Sequence, residues 1–123
     1  MKRQLNIVEL FMTKTTNAKT ASAGYKVPCD VLKIHGKSFD VAPFSDPMSP
    51  THALGYNDVR IGIIQYDQRA KLDVIKDTLL HEVIHVVDFD CQTEMTERQV
   101  HCLATGLYSV LKDNPEFAKW LIK

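Results

Sequence analysis

His81-Glu82-Val83-Ile84-His85 lies inside a run whose apolar residues Leu72, Ile75, Leu79, Val83 and Val86 recur every three or four positions, and this feature constrains the chain more than any other. The periodicity predicts a long helix that starts after Asp67 and runs to about Asp88. On a helix, residues i and i+4 sit one above the other, so the imidazoles of His81 and His85 share a face and can reach one metal ion from a rigid support. Glu82 points near the same space without being needed as a ligand, and a carboxylate there can handle a proton from a water that the metal activates. With five His and five Glu in 123 residues, a random order would show this pattern in roughly 0.8% of chains, so chance is a poor explanation. Setting these polar groups among Leu79, Leu80, Val83, Ile84, Val86 and Val87 would also be costly without a charge to compensate them.

A catalytic zinc site takes three protein ligands and keeps one position open. The candidates for the third are Asp88, Asp90, Glu94, Glu97 and His101. Asp88 shares the histidines' face but lies about 10 Å along the axis from His81, which suits a supporting role. Thr96-Glu97-Arg98-Gln99 reads as a capping box, with Met95 stapling onto Val100, so a second helix starts at Glu97. Folded back across the first helix through the eleven residues after His85, it brings Glu97 to the metal from another direction, and Glu97 is the preferred ligand. His101, one turn later on the same face, then sits beside the site, where it can orient a ligand or hydrogen-bond a developing oxyanion. Tyr108 continues that face and reads as a packed core tyrosine. His35 and His52 read as ordinary loop or turn histidines.

The rest of the chain reads as one domain spanning residues 1–123, since a second would leave each half near the size where cores become marginal. Residues 1–30 fit a strand (Leu5, Ile7) and a helix (Leu5, Val8, Met12) about equally, and Thr13 to Gly24 reads as a solvated connection. Leu32, Ile34, Phe39 and Val41 predict a hairpin turning at Gly36-Lys37. Ala42 to Pro50, with three prolines, reads as a loop. A second hairpin is expected from Leu54-Gly55-Tyr56 and Arg60 to Tyr66, turning at Asn57-Asp58. The second helix should bury Val100, Leu103, Leu107, Val110 and Leu111, and Asn114-Pro115 should open a short last helix carrying Phe117, Trp120 and Leu121.

Fifteen basic residues balance fifteen acidic ones, which argues against nucleic-acid binding as the main business of the chain. No apolar run approaches the roughly 20 residues of a membrane helix, and no signal peptide is expected. Cys29, Cys91 and Cys102 form no Cys-x-x-Cys pair and suit free thiols in a reducing cytoplasm. The expected fold is α+β, a twisted sheet of three or four strands packed on the motif helix with the Glu97 helix crossing behind.

Thr78 to His85, followed by Glu97-Arg98-Gln99-Val100-His101-Cys102-Leu103-Ala104, resembles the small phage- and prophage-encoded zincin-like metallopeptidases related to the ImmA/IrrE group. There a Glu-x-x-Ala-Asp/Asn-x-Phe/Leu-Ala helix supplies the third ligand. Its Glu maps onto Glu97, Val100 takes the Ala position, Leu103-Ala104 match, and His101 stands where the group has an acidic or amide residue bracing a ligand histidine. The likeness covers roughly residues 54–111. It implies a minimal zincin-like domain in which His81, His85 and Glu97 hold Zn²⁺, Glu82 is general base and then acid, and His101 assists. It also implies a peptide or protein substrate lying along Arg60 to Tyr66, with Ile61, Ile63, Arg60 and Gly62 forming the cleft wall. A regulatory or protein-binding module with a structural or vestigial metal site is the alternative, favoured by the small size of the chain. Metal-assisted hydrolysis of a non-peptide bond is a third reading.

Overall fold

A computed structural model describes residues 24–45 and 53–123. The expectations for residues 1–23, for His52 and for the middle of the proline-rich loop lie outside the described residues. The fold is α+β: strands β1 (Val31–Ile34), β2 (Lys37–Pro43), β3 (Gly55–Asp58) and β4 (Ile63–Tyr66), then helices α1 (Leu72–Cys91), α2 (Glu97–Asp113) and α3 (Pro115–Leu121). The strands form one mixed sheet in the order β1-β2-β4-β3, with β2 and β4 parallel and both other pairs antiparallel.

The first hairpin turns one residue earlier than expected. Ile34 faces Lys37, leaving the two-residue loop His35-Gly36 with φ of 52° and 80°. Positive φ at both central residues is what a primed turn requires to match the strand twist. His35 is held there as Nδ1 meets the Asp90 carboxylate at 3.1 Å, while Lys37 Nζ donates to the other oxygen at 3.1 Å, so Asp90 ties the turn to the end of α1. These two contacts keep the Asp90 carboxyl below the usual carboxylate range. Ala42 and Pro43, expected in the loop, complete β2 against Gln65 and Tyr66.

The second hairpin exists, but its turn is displaced. Asn57 and Asp58 are strand residues, and the reversal runs over residues 59–62. The Asp58 carboxylate accepts from the Arg60 amide at 2.9 Å and from its guanidinium at 2.9 Å, while Gly62, at φ 71°, donates its amide to the Asp58 carbonyl at 2.8 Å. A short polar side chain bonding two residues ahead and a glycine in the left-handed region build this turn.

The sheet's apolar side chains meet one side of α1. Ile34, Phe39 and Ile64 pack with Val86, and Val41 and Tyr66 pack with Ile75 and with Val27 from the extended residues before β1. Burying Phe39, Ile64, Ile75 or Val86 contributes about 1.5–3 kcal/mol each. The opposite side of α1 takes α2, with Ile84 against Val100 and Ala104. α1 is therefore the middle layer, and it runs three residues past the expected end, leaving only residues 92–96 to connect it to α2. The capping box forms as expected: Gln99 N–H donates to Thr96 Oγ1 at 3.1 Å, Thr96 N–H donates to Gln99 Oε1 at 2.9 Å, and Met95 packs against the Val100 cluster.

The expected apolar face of α2 is only partly used. Val100 and Ala104 are fully buried, whereas Leu103, Leu107 and Val110 are exposed. The small Ala104 lets α2 approach α1 along the line 100-104-108, which turns the 103-107-110 stripe outward. Cys29, Cys91 and Cys102 are all free thiols. Among the described residues, no helix is long and apolar enough to cross a membrane.

Candidate metal centre

His81 and His85 project from the third and fourth turns of α1, and the short connection delivers Glu97 to them from the first turn of α2. Asp88 fastens that connection: its carboxylate accepts from the Thr93 hydroxyl and from the Met95 amide at 3.0 Å. Those bonds, with a smaller contribution from nearby His85, hold the Asp88 carboxyl below its ordinary range. Glu94 lies in the same connection with a φ of 55°. Of the five candidate third ligands, the structure therefore brings Glu97 to the histidines and commits Asp88 and Asp90 to structural bonds.

His81 Nε2 lies 2.8 Å from Glu97 Oε2, His85 Nε2 lies 3.0 Å from Glu97 Oε1, and the two Nε2 atoms are 3.1 Å apart. Donors about 2.0–2.1 Å from one ion in a tetrahedral arrangement stand about 3.3 Å from one another. The observed spacing is close to that, and two imidazoles with one carboxylate are a fitting donor set for a divalent metal. His81, His85 and Glu97 thus form a group that can hold a metal ion. The histidine side chains are 17% and 28% exposed and Glu97 is 70% exposed, so the group opens outward from a supported base. The His101 ring centroid is 6.4 Å from that of His81, outside the donor group but on the wall of the same cavity.

Glu82 is 7% exposed. Its Oε1 accepts from Asn57 Nδ2 at 2.6 Å, reaching across from β3. The sequence concealed this partner, because Asn57-Asp58 looks like a turn. Gly55 on the same strand allows the approach: a Cβ there would collide with the Thr78 methyl and stand 2.8 Å from Glu82 Oε2. Gly55→Ala is expected to cost about 1–3 kcal/mol by overpacking. Denaturant unfolding measures this, and unchanged stability would show that β3 does not depend on that close approach.

A cavity of about 730 Å³ joins these groups. It is lined by two helical stripes running in opposite directions, Asp73, Asp77, His81 and His85 on α1 and Glu97, His101, Thr105 and Tyr108 on α2. Thr105 Oγ1 donates to Asp77 at 3.2 Å and Tyr108 OH to Asp73 at 3.0 Å, so polar bonds join the stripes beyond the metal group. Tyr108 is thus half-buried in the cavity wall, not in the apolar core as expected. Burial, then the Asp73 bond, push its phenol up to about 12, so it remains a donor at neutral pH.

The strand along the cavity is β3, with residues 53–57 lining it. The expected wall from Arg60 to Tyr66 is corrected: Arg60, Ile61 and Gly62 belong to the turn, and β4 is paired on both sides, by β2 and β3. Just before β3, the Leu54 carbonyl accepts from the Asp67 amide at 2.9 Å. Antiparallel alternation then directs the main-chain groups of Gly55 and Asn57 away from β4, and no strand pairs with that edge among the described residues. No family model, curated protein sequence or solved structure matches this chain.

Proposed function

We propose that this chain is a zinc-dependent peptidase of minimal zincin-like build, acting on an extended segment of peptide or protein. The observation that carries the reading is the convergence of His81, His85 and Glu97, each imidazole Nε2 within 3.0 Å of a Glu97 oxygen and 3.1 Å from the other Nε2, on the cavity that Glu82 lines. Bound Zn²⁺ would polarise the scissile carbonyl and lower the pKa of a water toward neutrality. Asn57 holds one Glu82 oxygen, leaving Oε2 to take a proton from the attacking water and return it to the leaving amine. His101 stands beside the group as a hydrogen-bond donor for the developing oxyanion. The β3 edge at Gly55 and Asn57, unpaired among the described residues, suits addition of an extended peptide, main chain to main chain.

Purified protein with stoichiometric zinc and chelator-sensitive cleavage of a mixed peptide library is the expected result; zinc without cleavage would favour the binding-module reading. The cavity also points to a charge preference. Asp73, Asp77, Glu82 and Glu97 line it, and no lysine or arginine does so among the described residues, although Lys112 reaches Asp73 at 3.7 Å from outside. Asp77 lies about 6 Å along the helix from His81, less than two residues of extended peptide. Library peptides with Lys or Arg beside the cleaved bond should therefore be preferred over those with Glu, and raising salt should narrow the difference. An equal rate for Lys and Glu peptides at low salt would remove this expectation.

A further inference from the structure

The metal-centre cavity has a direction as well as a charge. Across the ladder between β3 and β4, Gly55 faces Tyr66 and Asn57 faces Ile64. Tyr66 packs with Ile75 near the start of α1, whereas Ile64 packs with Val86 near its end. β3 therefore runs in the same direction as α1, in keeping with Gly55 lying against Thr78 and Asn57 reaching Glu82 one turn on. An added strand pairs somewhat more stably antiparallel than parallel, so an extended peptide on the Gly55 and Asn57 edge runs against α1. Its amino-terminal part lies toward His85, and the residues after the bond held at the metal group head toward Asp77 and Asp73.

The walls at that end are of two kinds. Leu54 and Val74 are apolar, while Asp77 and Asp73 carry carboxylates. Thr105 Oγ1 donates to Asp77 at 3.2 Å and Tyr108 OH to Asp73 at 3.0 Å, so neutral donors hold both groups in place without cancelling their charge. Asp77 is the nearer to the metal group, and Lys112 meets Asp73 at 3.7 Å. A side chain with an apolar stem and a cationic head matches both kinds of wall, which is the build of Lys and Arg. Resting on the peptidase reading above, we propose that the cavity receives a Lys or Arg within two residues after the broken bond, its stem on Leu54 and Val74 and its cation against Asp77. Asp77 is thereby a specificity-determining residue and takes no part in the chemistry.

Two zinc-chelating hydroxamates test this on the zinc-loaded full chain without turnover. In one, the hydroxamate stands at the amino end of a short peptide, so the peptide leaves the metal in the carboxy-terminal direction; in the other it caps the carboxyl end, and the peptide extends the opposite way. By calorimetry, the first should bind about tenfold more tightly with Lys than with Glu next to the hydroxamate, the scale of one charge-assisted hydrogen bond. The second should show no such preference. Asp77→Asn, which can still accept from Thr105, should abolish the Lys preference while keeping zinc and the affinity for an alanine version of the first compound. Should that variant fail to fold, Lys against acetyl-lysine in the wild type decides, since the two share a stem and differ in charge; equal affinity would count against the cation contact. No Lys preference, one confined to the second compound, or one that survives Asp77→Asn would overturn the proposal. Selective binding without cleavage of any library peptide would overturn the peptidase reading and leave the basic subsite standing, whereas a chain that holds no zinc would overturn both.

Discussion

Alanine at His81, His85 or Glu97 is expected to lower bound zinc by at least about tenfold, because replacing groups that merely brace a ligand already costs 10–100-fold in affinity. The three residues should fail alike, since the two Nε2 atoms stand 3.1 Å apart and the Glu97 carboxylate meets one through each oxygen, at 2.8 and 3.0 Å. Stability should follow occupancy: zinc at a hundred times its dissociation constant stabilises the folded wild type by about 2.7 kcal/mol, a gain the variants lose. Asp88→Ala is the control that gives the experiment its force. It lies one turn beyond His85 and spends its carboxylate on Thr93 and Met95, so it should keep most of its metal while loosening the α1–α2 connection. Zinc content by atomic emission and melting temperature with and without chelator measure both effects. A metal-free Asp88→Ala protein beside a fully loaded Glu97→Ala protein would overturn the third-ligand assignment.

The parts of this site that could be read in the sequence are those built from local periodicity. The i, i+4 spacing puts His81 and His85 on one face whatever the tertiary structure, and the Thr96-Gln99 capping box fixes where α2 must begin, which is why Glu97 could be chosen over four competitors. The α+β class followed from the switch from strand formers to helical period after Asp67. What escaped depends on contacts between elements. Asn57 looks like a turn residue because its sequence neighbour is Asp58. Only the competing Asp58–Arg60 and Gly62 interactions move the reversal downstream and free Asn57 to reach Glu82. The choice of edge strand was equally hidden: the sequence offered Arg60 to Tyr66 as the richer strand, but the parallel pairing of β2 with β4 places that strand inside the sheet and leaves β3 at the cavity. The outward stripe on α2 has the same origin, because apolar periodicity gives a helix an oily face without saying how much of it a partner will cover.

The sharpest separation between metal binding and catalysis comes from Glu82→Gln. Glutamine keeps the shape, and its carbonyl oxygen can still accept from Asn57 Nδ2, so the bond that anchors this buried side chain to β3 survives. The fold and the His81, His85 and Glu97 donors are untouched, so zinc should remain stoichiometric. What disappears is the ability of the second oxygen to accept a proton, and loss of a positioned general base lowers hydrolysis by roughly 10² or more. The loss should fall on kcat and kcat/KM together, because the proton transfer belongs to the transition state while peptide held along β3 does not require it. Zinc stoichiometry and cleavage of any substrate from the library screen, measured in parallel for wild type and variant, give the test. Equal cleavage rates would exclude Glu82 as the base. Loss of zinc would show that this carboxylate, reaching from beneath β3, supports the metal group instead of the reaction.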